Sequence, residues 1–161
     1  MQERGTVVAV SESVEATQAA AVLLAELLEP GDVIALDGDL GAGKTHFTQG
    51  VASGLGVSKP VTSPTFNVMV PYEDGRIPLY HFDLYRLDDP LQLEDIAFYE
   101  YVEGEGASCI EWASKFEDEL PNDRLDIYLE ALSETSRAIR ASAQGERAKR
   151  LLGKWQAACS S

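Results

Sequence analysis

Eight consecutive residues constrain this chain more than any others. Gly38-Asp39-Leu40-Gly41-Ala42-Gly43-Lys44-Thr45 is a full match to Gly-x-x-x-x-Gly-Lys-[Ser/Thr]. The octet follows Asp32-Val33-Ile34-Ala35-Leu36-Asp37, which has the pattern of a short buried strand, and precedes a helical stretch over 44–55 that Gly54 and Gly56 frame at its end. Strand, glycine loop and helix in that order predict an α/β fold with a phosphate-binding loop. Glycines at 38, 41 and 43 allow backbone angles that side chains forbid, so successive amide N–H groups point inward at phosphates. A helix starting near Lys44 adds its unpaired N–H groups and the positive end of its dipole. In such a loop Ala42 and His46 flank the phosphates, Lys44 reaches the β- and γ-phosphates, and the Thr45 hydroxyl ligates Mg²⁺. The expected ligand is a purine nucleoside triphosphate, ATP, with Mg²⁺.

The remaining segments fit around that unit. Residues 6–10 alternate weakly as a short strand. Residues 13–28 are rich in Ala and Leu at helical spacing, with Ser13 or Ser11 as N-cap and Pro30-Gly31 as the stop. Pro60 and Pro64 stiffen Val61-Thr62-Ser63-Pro64-Thr65. Residues 66–72 and 77–84 read as a hairpin around Glu73-Asp74-Gly75-Arg76, and Pro71 and Pro78 put that end at a sheet edge or beyond it. A short helix over 90–98, a buried strand over 108–112, two late strands over 125–131 and 137–142 and a helix over 146–155 complete the pattern. The prediction is one P-loop domain over 1–161, a mixed parallel/antiparallel sheet flanked by helices.

Charge narrows the function. The chain of 161 residues carries a formal net charge of −14, which repels phosphate backbones, whereas nucleic-acid binding needs clustered Lys and Arg. The basic cluster Arg147, Lys149, Arg150 and Lys154 reads as the solvated face of the last helix, with Leu151, Leu152 and Trp155 toward the core. Strong binding of RNA or DNA by the chain alone is therefore not expected. No apolar run approaches the roughly 20 residues that span a bilayer, so no membrane association is expected. Met1 to Gly5 lacks a secretion-type start, and two cysteines, Cys109 and Cys159, make no disulfide framework. The cytoplasm is the expected compartment.

Hydrolysis needs the metal held from a second side, usually by an acid at the end of a buried strand. Two strands end in one: Asp83 after Tyr80-His81-Phe82, and Glu111 after Cys109-Ile110. Either carboxylate suits Mg²⁺ as a hard oxygen ligand; the other reading is a strand-end acid that faces solvent or pairs with a neighbour such as Arg86. At least one should reach the metal. Thr62, Ser63 and Thr65 offer hydroxyls that sense a γ-phosphate or merely cap a loop. His81 either aligns a water or serves the core. Trp112, adjacent to Glu111, is expected on the opposite face of the strand, as core filler or as a nucleotide or partner contact.

Four segments together carry a resemblance: Gly-Asp-Leu-Gly-Ala-Gly-Lys-Thr at 38–45, Ser-Pro-Thr-Phe at 63–66, His-Phe-Asp-Leu-Tyr-Arg-Leu at 81–87 and Ile-Glu-Trp at 110–112. In order and spacing they resemble the TsaE (YjeE) family, bacterial ATPases needed for threonylcarbamoyladenosine in tRNA, over residues 11–142. The resemblance implies a compact α/β fold, slow ATPase activity in isolation, and partnership with TsaD and TsaB, with tRNA met only through that complex. It implies Mg²⁺ on Thr45 and Glu111, Asp83 at the second acidic motif, and Thr65 in a switch-like segment. It also implies an arginine near the nucleotide in the region of Arg137, with Arg140 close by, and base or ribose contact at Thr17. Two positions depart from the common pattern: His46 replaces a second hydroxyl, and Ser114 stands where many members have an acid. The chain is expected to be monomeric by itself. A small-molecule kinase and a nucleotide-gated module that barely hydrolyses are the competing classes. An arginine in trans accelerates such hydrolysis by about 10³–10⁵, and Arg86 is the nearest one in the chain.

Overall fold

The computed structural model describes residues 5–39, 41–64 and 67–160. Among them the chain forms seven strands, five α-helices and one 3-10 segment. In chain order these are β1 (Thr6–Ser11), α1 (Val14–Ala25), β2 (Val33–Gly38), α2 (Lys44–Leu55), β3 (Met69–Tyr72) and β4 (Leu79–Asp83). They continue as α3 (Leu91–Asp95), α4 (Phe98–Val102), β5 (Ala107–Glu111), the 3-10 segment Ala113–Glu119, β6 (Arg124–Ala131), β7 (Arg137–Gln144) and α5 (Glu146–Ser160). The seven strands make one sheet in the order β1-β7-β6-β2-β5-β4-β3. β2 runs parallel to β5 and β6, and β4 parallel to β5. β7 is antiparallel to β6 and β1, and β3 antiparallel to β4. The mixed α/β sheet predicted from the sequence is the observed one.

Strand alternation divides the core into two layers. Ile34, Leu36, Cys109, Ile127 and Ile139 turn to the face covered by α1, α2 and α5. Val33, Ala35, Phe82 and Ile110 turn to the other, where α3, α4 and the 3-10 segment contribute Leu93, Phe98 and Phe116. α2, which the loop feeds, lies against α1 through Gly50 and Gly54. A Cβ on either would fall within 3 Å of α1 backbone atoms, so only glycine permits this approach.

Several expectations shift in detail. Ser13 is the N-cap of α1, its Oγ accepting from the Ala16 N–H at 3.1 Å. The helix expected over 90–98 is two short ones, because Ala97 takes a left-handed φ of 56° between them. The hairpin is shorter than its apolar run, and β3 with Pro71 is the sheet edge as anticipated. Arg147 corrects the picture of a purely solvated basic face. It forms a two-point ion pair with buried Asp32 (Nε–Oδ1 3.0 Å, Nη2–Oδ2 2.8 Å) and donates to the Leu27 carbonyl, tying α5 to the start of β2. No helix among the described residues is long and apolar enough to cross a membrane.

Candidate functional site

The loop leaves β2 at its carboxyl end, in the middle of the sheet, where the ends of β4 and β5 stand alongside. Gly41 and Gly43 have φ of 81° and 100°, the left-handed region that favours glycine. Gly38 needs its bare Cα for another reason: a Cβ there would sit 2.8 Å from the Leu129 carbonyl on β6. Gly43 is also the N-cap of α2, whose first-turn amides have no partner within the helix and therefore face the loop mouth.

Lys44 is buried beneath the loop. Its Nζ donates to the carbonyls of Gly38 (2.9 Å) and Asp39 (3.1 Å) and lies 4.2 Å from the centre of the Trp112 ring. Burial lowers its pKa, while the charges of Glu111, Asp37, Asp83 and Asp39 oppose that shift. The ammonium is thus largely shielded from solvent and under the influence of four carboxylates.

β4 and β5 bring their terminal acids side by side, Asp83 opposite Glu111 in the parallel register. Both are buried at the sheet's rim. Glu111 Oε2 meets Nε2 of fully buried His81 in a short contact and lies 3.5 Å from the Thr45 hydroxyl, long for a hydrogen bond. Among the described residues the His81 Nδ1 has no hydrogen-bond partner. Asp83 accepts from the Tyr85 N–H at 3.0 Å and from Ser63 Oγ at 3.4 Å. His81 therefore serves Glu111 from below rather than reaching the open cavity. Thr45, Ser63, Asp83 and Glu111 present hard oxygen donors suited to Mg²⁺. Among the described residues there is no cluster of three or more His, Cys, Asp or Glu that could hold a metal ion.

These groups open onto a cavity of about 680 Å³, within the size range of small-molecule sites. Gly41, Ala42, Gly43, Lys44, Thr45 and His46 line it, together with Asp83, Glu111, Thr17 and Arg137. Thr17 is nearly buried, its hydroxyl 2.6 Å from Ser11 Oγ. Arg137 braces the loop: its Nε donates to the Ala42 carbonyl at 2.9 Å and Nη1 to the carbonyls of Ser133 and Ser136. Arg140 instead pairs with Glu130. Gly38 does not line the cavity, and neither does exposed Arg86. Thr65 lies outside the described residues.

Trp112 overturns the expectation that it faces away from Glu111. Its φ of 59° breaks the strand alternation and turns the indole into the same cavity, where Tyr85 packs on it at 4.9 Å. Tyr85, Glu12, Val14, Glu134 and Thr135 line the cavity without having been singled out in the sequence. Tyr85 sits within the His-Phe-Asp-Leu-Tyr-Arg segment, which was the available signal; Val14 opens α1, and Glu12, Glu134 and Thr135 lie in connections that only the fold brings near.

Comparison with known proteins places these features in a family. The model for the threonylcarbamoyl adenosine biosynthesis protein TsaE matches residues 11–139. The tRNA threonylcarbamoyladenosine biosynthesis protein TsaE of Bacillus subtilis (strain 168) is 47% identical over 133 residues, 83% of each chain. The protein of that name from Treponema pallidum (strain Nichols) is 42% identical over 130 residues, 81% of this chain and 96% of that one. The crystal structure of Bacillus subtilis YdiB is similar with a TM-score of 0.80 at 38% identity, over 93% of both chains.

Proposed function

The chain belongs to the TsaE family, and from that premise we propose that it is the Mg²⁺-dependent ATPase of the cytoplasmic machinery that makes threonylcarbamoyladenosine in tRNA, acting with TsaD and TsaB. The observation that carries this reading is the meeting of Lys44, Thr45, Asp83 and Glu111 around one cavity at the strand ends. The chain's acidity fits a component that leaves RNA binding to its partners.

The loop amides and the α2 N-terminus receive the β- and γ-phosphates of ATP, and Lys44 leaves the Gly38 and Asp39 carbonyls to join them. The Thr45 hydroxyl and the Glu111 carboxylate would hold Mg²⁺, which when bound offsets the charge of the phosphate oxygens. His81 fixes the Glu111 carboxylate from beneath. Asp83, anchored by the Tyr85 N–H, orients the attacking water, and Thr65 senses the γ-phosphate. Arg137 keeps the loop open by occupying its outward carbonyls, and Trp112 walls off the lysine. Hydrolysis is slow because the one cavity-lining arginine among the described residues, Arg137, is engaged with the loop backbone. A partner-supplied cation is the natural accelerator, and resetting the complex between turnovers is the purpose of the reaction. A kinase would need an arginine-rich lid, for which the described cavity wall has no counterpart.

Two measurements test the proposal. Lys44→Ala should abolish ATP binding, and Glu111→Ala should remove the magnesium dependence of binding and turnover. A pull-down with TsaD and TsaB should depend on ATP. Unchanged behaviour of both variants would refute the site, and indifference to both partners would refute the assigned role.

A further inference from the structure

The residue just before the loop has an unassigned task. Asp37 is the penultimate residue of β2, with its side chain on the sheet face opposite α1 and α2, in a groove shared with Ser114, Asp126 and Tyr128. Its Oδ1 accepts two hydrogen bonds from one residue, the Ser114 N–H at 3.1 Å and the Ser114 Oγ at 2.8 Å. Burial raises the Asp37 carboxyl pKa, and the two Ser114 bonds act against that shift in favour of the carboxylate. Ser114 lies two residues beyond Trp112, the residue held at a left-handed φ. A tryptophan stays in that conformation only where its neighbours determine it.

The neighbours are few. The Trp112 N–H donates to the Leu36 carbonyl at 3.1 Å, and its carbonyl accepts from the Lys115 N–H at 3.2 Å. Those two bonds hold the Trp112 backbone. The Asp37–Ser114 pair then fastens the turn that follows to the strand that feeds the loop, across 77 residues of sequence. The indole that results lies with its ring centre 4.2 Å from Lys44 Nζ and with the Tyr85 ring tilted against it at 4.9 Å. Neither Asp37 nor Ser114 lines the nucleotide cavity. Ser114 can act on it through Trp112, and Asp37 through Trp112 and also through its charge, which is felt by Lys44 and which Asp37→Asn removes while keeping the acceptor.

We infer that Asp37, by its two hydrogen bonds to Ser114, is a positioning residue that holds Trp112 over Lys44 and so shapes the phosphate end of the cavity. This rests on the nucleotide reading of the cavity given above. Two different losses follow from it. Without the pair, the nucleotide-free protein should show a more mobile and more accessible Trp112, and ATP should bind more weakly because the lysine loses its wall.

The test uses Trp155→Phe, which leaves Trp112 as the single tryptophan of the chain. In that background Asp37→Ala, Asp37→Asn, Ser114→Ala and Lys44→Ala are compared by acrylamide quenching without nucleotide, then by ATP·Mg²⁺ titration calorimetry. Asp37→Ala should raise quenching and weaken ATP binding by about tenfold, the scale of losing a charge-assisted hydrogen-bonded pair. Ser114→Ala, at an exposed position that should not disturb folding, should shift both readouts in the same direction by less. Asp37→Asn keeps a carbonyl acceptor and should recover most of both. Unchanged quenching in Asp37→Ala and Ser114→Ala would overturn the inference, as would weaker ATP binding with unchanged quenching. Asn behaving like Ala would also overturn it, since charge rather than hydrogen bonding would then be at work. If Lys44→Ala binds ATP like its parent, the nucleotide reading fails, while quenching of the free protein still judges the Asp37–Trp112 link.

Discussion

Replacing Gly50 by alanine separates packing from helix propensity in the helix that carries Lys44 and Thr45. By propensity alone the change should help, since alanine is better than glycine inside a helix by roughly 0.5–1 kcal/mol. At this position an added Cβ would lie 2.6 Å from the Gln18 carbonyl oxygen, 2.7 Å from Ala21 Cβ and 2.9 Å from Gln18 Cα. Two of those atoms are backbone and the third is a methyl with no rotamer to change, so relief requires α1 and α2 to move apart. Overpacking of this kind costs about 1–3 kcal/mol, which exceeds the propensity gain. The expected result is a net loss of about 1–2 kcal/mol, or a Tm lower by about 2–8 °C for a chain of this size. Gly153 in α5 is the control: a Cβ there meets nothing within 4 Å, so Gly153→Ala should raise Tm by roughly 1–4 °C. Thermal unfolding followed by circular dichroism, with urea midpoints at unchanged m, measures both. If Gly50→Ala melts at or above the wild type, or both variants shift with the same sign, close α1–α2 contact does not set the position of the loop helix.

Three further outcomes follow from buried charge and buried sulfur. Asp32→Ala should destabilise by about 2–3 kcal/mol in urea unfolding, below the range for a fully buried pair because Arg147 is partly exposed; a loss under 0.5 kcal/mol would mean that the pair is ornamental. Cys109, fully buried and pushed up to about 12 from 9.0, should resist Ellman's reagent in the native protein and react only after unfolding. Because its folded pKa is raised, its contribution is complete below pH 9 and is lost as pH climbs toward 12, so Cys109→Ala should flatten that part of the stability profile. Lys44 has a lowered pKa, so its buried charge costs stability at neutral pH and the cost fades as pH rises through the folded value toward 10.5. Lys44→Met should therefore melt higher than wild type at pH 7 even though it cannot bind ATP, with the gap narrowing near pH 10.

What could be read from the sequence is what local chemistry determines. The loop was legible because Gly41, Gly43, Lys44 and Thr45 act within a few residues of one another. The hairpin was legible because its prolines and turn residues are adjacent to its apolar runs. The same holds for Asp83 and Glu111, which periodicity alone puts at strand ends. Contacts between distant residues were not legible. Arg137 reaches the Ala42 carbonyl across 95 positions and Arg147 reaches Asp32 across 115, and nothing in either neighbourhood encodes the partner. The choice between Arg137 and Arg140 shows why. Three positions apart on a strand, they point to opposite faces, so one reaches the loop and the other cannot. Which one does so depends on β7 lying antiparallel beside β6, and on β6 lying parallel beside β2. That strand order places the Arg137 end of β7 level with the glycines and leaves Arg140 to Glu130 on the opposite face. Trp112 failed for a complementary reason: strand alternation was extended one residue too far, past the point where the Leu36 carbonyl and the Asp37–Ser114 pair turn the chain. In both cases the decisive term is the register between β2 and its neighbours, and the residues that set it lie on the strand that feeds the loop.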